Sequence, residues 1–376
     1  MKIFALHDQD DNASYWRIEI PLRCLRALGC VCEEGNINAP PQDLTADILI
    51  LERPHTAQML QVIRECRAAG VRTIVDVDDL IRPGSIQVDN PAYVTWNPKY
   101  FEWHRQALVS AGVLSEAEAA AQPVPRNDAM KFFLSCVREA DAVTVPTEAI
   151  AREYRALNPH VYVLPNCYDD SNPLWDAPRP PRQEGRVYVG FAGGVSHRNN
   201  LRMLKDALEE LVQRCPEVIV VEAGAHLYLE DMQVPPENFL HLGLVPFPTY
   251  PLLLSYLDVV VAPLVDNVFT RAKSPIRCME AGLVRAPVVA SPVGPYLEYV
   301  EHGVNGFFAE RPREWVRFLE LLVRDAELRR RMGEANRRRA EQYAITKNIV
   351  RWLDVFDALF RRGSRLQRTG RAAAHA

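Results

Sequence analysis

The chain has no run near the roughly 20 apolar residues that a membrane-spanning helix needs, and its longest apolar stretches, VIVVEAG and LDVVVAPL, have the length of strands. A spanning membrane protein is not expected. The opening MKIFALHDQDD is one short apolar run that meets acidic residues at once, with no small-residue cleavage site. This predicts a cytoplasmic protein. No Cys-x-x-Cys pair occurs among the eight cysteines (Cys24, Cys30, Cys32, Cys66, Cys136, Cys167, Cys215, Cys278), most of which lie in apolar periodic segments. Buried thiols are therefore favoured over a disulfide or metal framework. The P-loop pattern and the complete dinucleotide fingerprint are both missing, and no carboxylate pair at glycosidase spacing can be assigned.

What is present is a folded, enzyme-sized chain. Its 376 residues exceed the roughly 250–300 at which single cores stop growing, so two domains are expected. Hydrophobic residues make up 48% and charged ones 24%, which excludes a disordered or fibrous class. The net charge of −4 is uneven: from 310 onward 17 Lys and Arg face 9 Asp and Glu, a balance of +8 that leaves −12 for the rest. Such a stretch either touches an anionic membrane surface or forms a solvated basic helix face ahead of a disordered tail.

Short apolar runs alternate with helical patterns throughout, as in a parallel sheet wound by helices. In the first half the strand candidates are KIFALH, DILILE, RTIVDVDD, DAVTVPT and VYVLPN, with helices at PLRCLRALG and TAQMLQVIRECRAAG. The segment from Arg82 to Pro125 interrupts this rhythm with Tyr93, Trp96, Tyr100, Phe101 and Trp103. Its aromatics serve either core and lid packing or sugar stacking. The proline-rich DAPRPPRQEG reads as a linker. Beyond it RVYVGFAGG, VIVVEAG, FLHLG, DVVVAPL and APVVAS repeat the strand pattern, and a long helical tail follows. The expected division is an N-terminal domain at 1–178, a linker at 179–186, a second doubly wound domain at 187–345, a crossover helix at 346–362 and a disordered basic tail at 363–376.

Three constellations carry chemistry. Gly193-Gly194 closes a strand ahead of His197-Arg198 and a helix, so its amides either approach a phosphate or make a plain tight turn. In DNVFTRAKSPIRCMEAG, Ser274 is expected to cap a helix whose first position is Pro275, with Arg271 and Lys273 just before its positive end. That combination suits a diphosphate. Glu280, two turns on, either accepts hydrogen bonds from a ribose diol or is a surface helix carboxylate. Finally Asp76, Asp78 and Asp79 crowd the end of one strand, where metal binding, helix capping and acceptor orientation are the alternatives.

EAGLVRAPVVASPVGPYLEYVEHGVNGFF, continued backward through LSYLDVVVAPL, LHLGLV and VEAG to VGFAGG, resembles the retaining GT-B glycosyltransferases of the family 4 type over most of 187–310. The resemblance implies an α/β GT-B fold: two doubly wound Rossmann-like domains facing a cleft, with a C-terminal helix returning to the N-terminal domain. It implies sugar transfer from a nucleoside diphosphate sugar to a hydroxyl acceptor such as a glycan or lipid-linked glycan, with retention and no cofactor or metal. Glu280 takes the place of the second Glu of the family's Glu-x7-Glu pair, which binds donor ribose; the first is Ala272 here. The family's Gly-Arg turn, with a lysine six residues on, is replaced by Gly190-Phe191 and by His197-Arg198. The expected catalytic cations are thus Arg198, Arg271 and Lys273, and the donor ligands Gly193, Gly194, His197, Ser274, Pro275, Glu280 and Gly243. Asp76, Asp78, Asp79 and Arg17 are placed on the acceptor side. The pattern is similar to a branch associated with polysaccharide and O-antigen assembly. A GT-B epimerase, a phosphorylase and a non-catalytic GT-B scaffold are the rivals, although the cofactor lysine motif of a phosphorylase is absent.

Overall fold

The structure is a computed structural model that describes residues 1–8, 12–41, 43–86, 93–97, 99–121, 127–194, 197–224 and 232–373; the side chains of residues 12, 103, 198 and those after 361 lie outside this description. The chain divides into two units, Met1–Leu164 with Ile349–Ala376, and Pro165–Asn348.

Unit 1 is built on six parallel strands: β1 (Lys2–His7), β2 (Val31–Asn36), β3 (Ile48–Glu52), β4 (Arg72–Asp76), β5 (Ala142–Val145) and β6 (Val161–Val163). Their order is β2-β1-β3-β4-β5-β6. ILILE of β3 is buried at every position, as expected of a parallel strand covered on both faces. The helix Ala57–Ala69 starts where the Thr56 side chain accepts from the Met59 amide and stops at Gly70, whose φ of 78° ends it in the left-handed region. In the inserted segment Trp96 is buried, edge-on to Phe133 at 5.3 Å, so packing is the role of this aromatic. At the far end Trp352, Val355, Phe356 and Leu359 are buried in the helix Ile345–Ala373. That helix continues through the stretch expected as a disordered tail.

Unit 2 repeats the plan with β7 (Val187–Gly193), β8 (Val218–Gly224), β9 (Phe239–Leu242), β10 (Val259–Ala262), β11 (Val288–Ala290) and β12 (Gly306–Phe308), all parallel. The order β12-β11-β10-β7-β8-β9 reverses between β10 and β7. Ligands of doubly wound sheets bind beyond the carboxyl ends of the strands at such a reversal. The core joins the sheet to the helix Pro312–Arg324 through Trp315, Leu319 and Leu322.

The division at Leu164/Pro165 falls earlier than the expected boundary at 178. Arg179 and Arg182 both pair with Asp258, at 2.5 and 2.8 Å, and Trp175 is buried. The proline-rich stretch is strapped to unit 2 by these contacts rather than serving as a free linker. The helix Ile276–Leu283 lies close against Ala326–Ala340: a Cβ on Gly282 would stand 2.5 Å from the Asn336 carbonyl, and one on Gly333 would strike the Arg285 carbonyl. Two glycines thus let this helix sink into the unit, which fixes the depth of Glu280.

The arginine-rich helix Ala326–Ala340 is not an open basic stripe. Arg337 is buried and bonds the Leu283 and Trp175 carbonyls, Arg329 bonds the Leu322 carbonyl, Arg330 pairs with Glu327, and Arg339 bonds the Glu298 carbonyl. Arg331 and Arg338 are the exposed members with no hydrogen bond or ion pair among the described residues.

Candidate functional site

The site is assembled at the reversal point of unit 2, from the end of β7 and the helix Ile276–Leu283. Glu280 is only 3% exposed, so it is not a surface carboxylate. Its Oε2 accepts from Arg277 Nη1 at 2.8 Å and from the Tyr250 hydroxyl at 3.4 Å. Arg277 also donates to the Tyr250 oxygen at 3.2 Å and lays its guanidinium on the Phe191 ring, 4.5 Å from the centroid. A Cβ at Gly193 would stand 2.5 Å from Arg277 Nη2, so a side chain there would push the guanidinium aside.

The charges of this group follow from its burial. Burial opposes the charge on Arg277, but Glu280 beside it more than compensates and keeps the guanidinium protonated. Burial likewise pushes the Glu280 carboxyl up from its ordinary value, against the pull of Arg277. His197, at 5.3 Å from the Phe191 ring, is pushed well below its usual value by burial and then by the charges of Arg277 and Lys273. It is a neutral imidazole at pH 7. Its tautomer is set too: the Asn200 oxygen accepts from the Val265 amide at 2.9 Å, so the Asn200 nitrogen donates to His197 Nδ1 at 3.3 Å and the ring proton sits on Nε2.

The expected site residues separate accordingly. Gly193, His197, Lys273 and Glu280 come together, and the Gly194 carbonyl accepts from the His197 amide at 3.1 Å. The Lys273 ammonium also lies over the Phe269 ring, 4.6 Å from its centroid. Ser274 does not cap the helix: its hydroxyl accepts from Asn166 at 3.0 Å, and the helix starts at Ile276 with Pro275 at the N-cap position instead of the first turn. Arg271 holds Asp266 with both branches, at 2.5 and 2.8 Å, on an exposed surface. Gly243 follows β9 in open space. The Arg198 backbone opens the helix Arg198–Arg202, and its side chain lies outside the described residues.

On the acceptor side the expectation changes most. Asp76 is fully buried, and Arg17 holds it through Nε at 2.9 Å and Nη2 at 2.7 Å while Thr144 donates at 2.6 Å. Arg17 Nη1 donates to the Leu164 carbonyl at 2.5 Å. Both residues thus serve as internal braces of unit 1. Asp78 and Asp79 remain partly exposed, and no helix follows them to be capped. Among the described residues no group of three or more His, Cys, Asp and Glu side chains has the geometry of a metal site. Instead, the reversal between β1 and β3 gathers His7, Glu34, Glu52 and Ser14, with His7 Nε2 3.2 Å from Glu34 and Ser14 donating to Glu52.

Arg277 was not among the expected residues. Its signal is legible in retrospect: one arginine in the otherwise apolar turn IRCM, three positions before Glu280 and therefore on its face.

Residues 176–339 match the family model of glycosyl transferases group 1. The matched stretch contains Phe191, Gly193, His197, Asn200, Tyr250, Lys273, Arg277 and Glu280. A stretch of 131 residues, 34% of this chain, is 28% identical to an uncharacterized glycosyltransferase of Methanocaldococcus jannaschii and spans 32% of its length. Among solved structures, Anabaena HepE in complex with UDP-glucose is 15% identical over 97% of this chain and 100% of that one, with a TM-score of 0.62. Sucrose-phosphate synthase from Thermosynechococcus elongatus is 12% identical over 96% of this chain and 100% of that one, with a TM-score of 0.64. Likeness at these identities shows the fold, which is α/β of the GT-B type. No described helix is long and apolar enough to cross a membrane.

Proposed function

We propose that the protein is a glycosyltransferase that moves a sugar from a nucleoside diphosphate sugar to a hydroxyl of a glycan or lipid-linked glycan, with retention of configuration. The observation that carries this reading is a buried carboxylate, Glu280, held with a guanidinium and beside an ammonium-bearing loop at the reversal point of a glycosyl transferases group 1 domain. The UDP-glucose held by the similar HepE fold supports a nucleotide sugar as the donor class.

In this reading Glu280 accepts from the ribose diol, and Lys273 with the amides around Gly193, Gly194 and Pro275 faces the diphosphate. The leaving diphosphate gains charge as the sugar acquires oxocarbenium character, and fixed cations and dipoles stabilise that change without reorganising. Neutral His197 offers an Nε2 proton to a sugar or phosphate oxygen. No cofactor beyond the donor is required. The acceptor is recognised by unit 1, and the membrane contact that a lipid-linked acceptor implies is left to Arg331, Arg338 and the tail.

Nucleoside diphosphate release from UDP-, GDP- and dTDP-sugars, with and without glycan acceptors, tests the proposal. Acceptor-stimulated release from at least one donor is expected. Tight nucleotide binding without release would point to a homologue that binds and scaffolds, and neither binding nor release would reject the donor class.

A further inference from the structure

Arg277 is nine-tenths buried, yet only part of its donor set is used: Nη1 serves Glu280 and Tyr250, while Nε has no hydrogen-bond partner among the described residues. A buried guanidinium with an unmet N–H costs free energy unless a ligand completes it. Nη2 lies over Gly193, in the space that a side chain there would take. Two cations, Arg277 and Lys273, act on His197, and Glu280 is the carboxylate that pairs with Arg277. Unmet donors in a planar fork, two neighbouring cations and a half-buried strand end together fit an anion with paired oxygens.

We infer that Arg277 binds the diphosphate of the donor, and that its ion pair with Glu280 links phosphate binding to ribose binding. The inference rests on the donor reading above and adds the residue that reads the phosphates. Arg271, the guanidinium expected for this task, is engaged by Asp266 on the surface. The Arg277 guanidinium instead packs on the Phe191 ring at the end of β7. Without donor, Glu280 supplies the counter-charge that keeps the guanidinium buried. With donor, the phosphates take over that role and the carboxylate turns to the ribose hydroxyls.

Calorimetry on the full chain tests this with UDP, GDP, ADP and dTDP, each beside its nucleoside. For the base that binds best, the readout is the preference for diphosphate over nucleoside. Because Arg277→Met alone would leave Glu280 buried without its partner, the decisive comparison is Arg277→Met/Glu280→Gln against Glu280→Gln. The preference is expected to fall about tenfold or more on adding Arg277→Met, with the nucleoside affinity nearly unchanged. Arg277→Lys should restore part of it. Gly193→Ala, whose added methyl displaces Nη2, should lower the same preference and carries the test if the double variant does not fold. An unchanged preference in folded variants overturns the inference while leaving the donor reading intact. A wild-type chain that binds none of the four nucleotides overturns both.

Discussion

Two buried arginines, one in each unit, sit at the carboxyl edge of a parallel sheet against a buried carboxylate, and they differ in what is left over. In unit 1, Arg17 grips Asp76 with two N–H groups and a backbone carbonyl with a third, while Thr144 completes the carboxylate. In unit 2, Arg277 meets Glu280 through Nη1, stacks on Phe191 and keeps Nε unmet. The first arrangement is closed and the second is open. Burial and charge alone do not distinguish a brace from a binding group; the count of satisfied donors does.

The largest effect expected from this contrast is on stability. Arg17→Met strands a fully buried Asp76 and should cost about 3–5 kcal/mol in denaturant unfolding. Arg277→Met should cost less, about 1–3 kcal/mol, because the Glu280 carboxyl, already pushed up by burial, can take a proton. Equal losses in the two variants would erase the distinction. Activity should divide the other way: Glu280→Ala and Lys273→Ala are each expected to lower donor turnover about 100-fold or more while the melting transition stays cooperative. Wild-type rates in either variant would dissolve the assignment of the site.

A third test concerns the polar cluster of unit 1. Burial lowers the pKa of His7, but the hydrogen bond to Glu34 and the charges of Glu52, Glu34 and Glu19 outweigh it, so the net shift is upward from 6.5. Glu34 is held down from 4.5 to about 2, chiefly by its bond with His7 and with Arg26 against burial. A raised histidine stabilises the fold below its unfolded pKa and loses that contribution as pH climbs through the folded one. A depressed carboxylate contributes above its unfolded pKa and loses that only as pH falls toward the folded one. His7→Gln should therefore destabilise most between about pH 4.5 and 6.5, and progressively less as the pH climbs past the raised His7 value, as melting across pH will show. The smallest effect is expected at the membrane. With four of six arginines of the helix Ala326–Ala340 engaged, neutralising Arg331 and Arg338 removes about 1 kcal/mol each of attraction to anionic vesicles. Co-sedimentation at low salt measures it.

Much of the fold was legible in the sequence because most strands announce themselves as short apolar runs, and β1 and β3–β11 lie within the segments read as strands, whereas the polar VCEEGN of β2 does not. The spacing of Glu280 and Lys273 was legible because it is local to one motif, and their part in donor binding is the proposal above. What stayed hidden depends on distant partners. Asp76 looked like one of three crowded carboxylates until Arg17, 59 positions away, was seen to neutralise it. The proline-rich stretch looked free because Asp258, which holds Arg179 and Arg182, lies 79 and 76 positions on. Ser274 had the type and place of a helix cap, but Asn166 occupies its hydroxyl. Arg277 had a local signal and was passed over because the motif around it directs attention to the carboxylate.

Hydrogen exchange of the full chain, with and without the tightest-binding nucleoside diphosphate, tests the central claim most directly. Slowed exchange is expected at the end of β7 and across the helix Ile276–Leu283, with β4 and the helix turn carrying Arg17 unchanged. Slowing confined to unit 1, or slowing that bypasses Arg277 and Glu280, would contradict it.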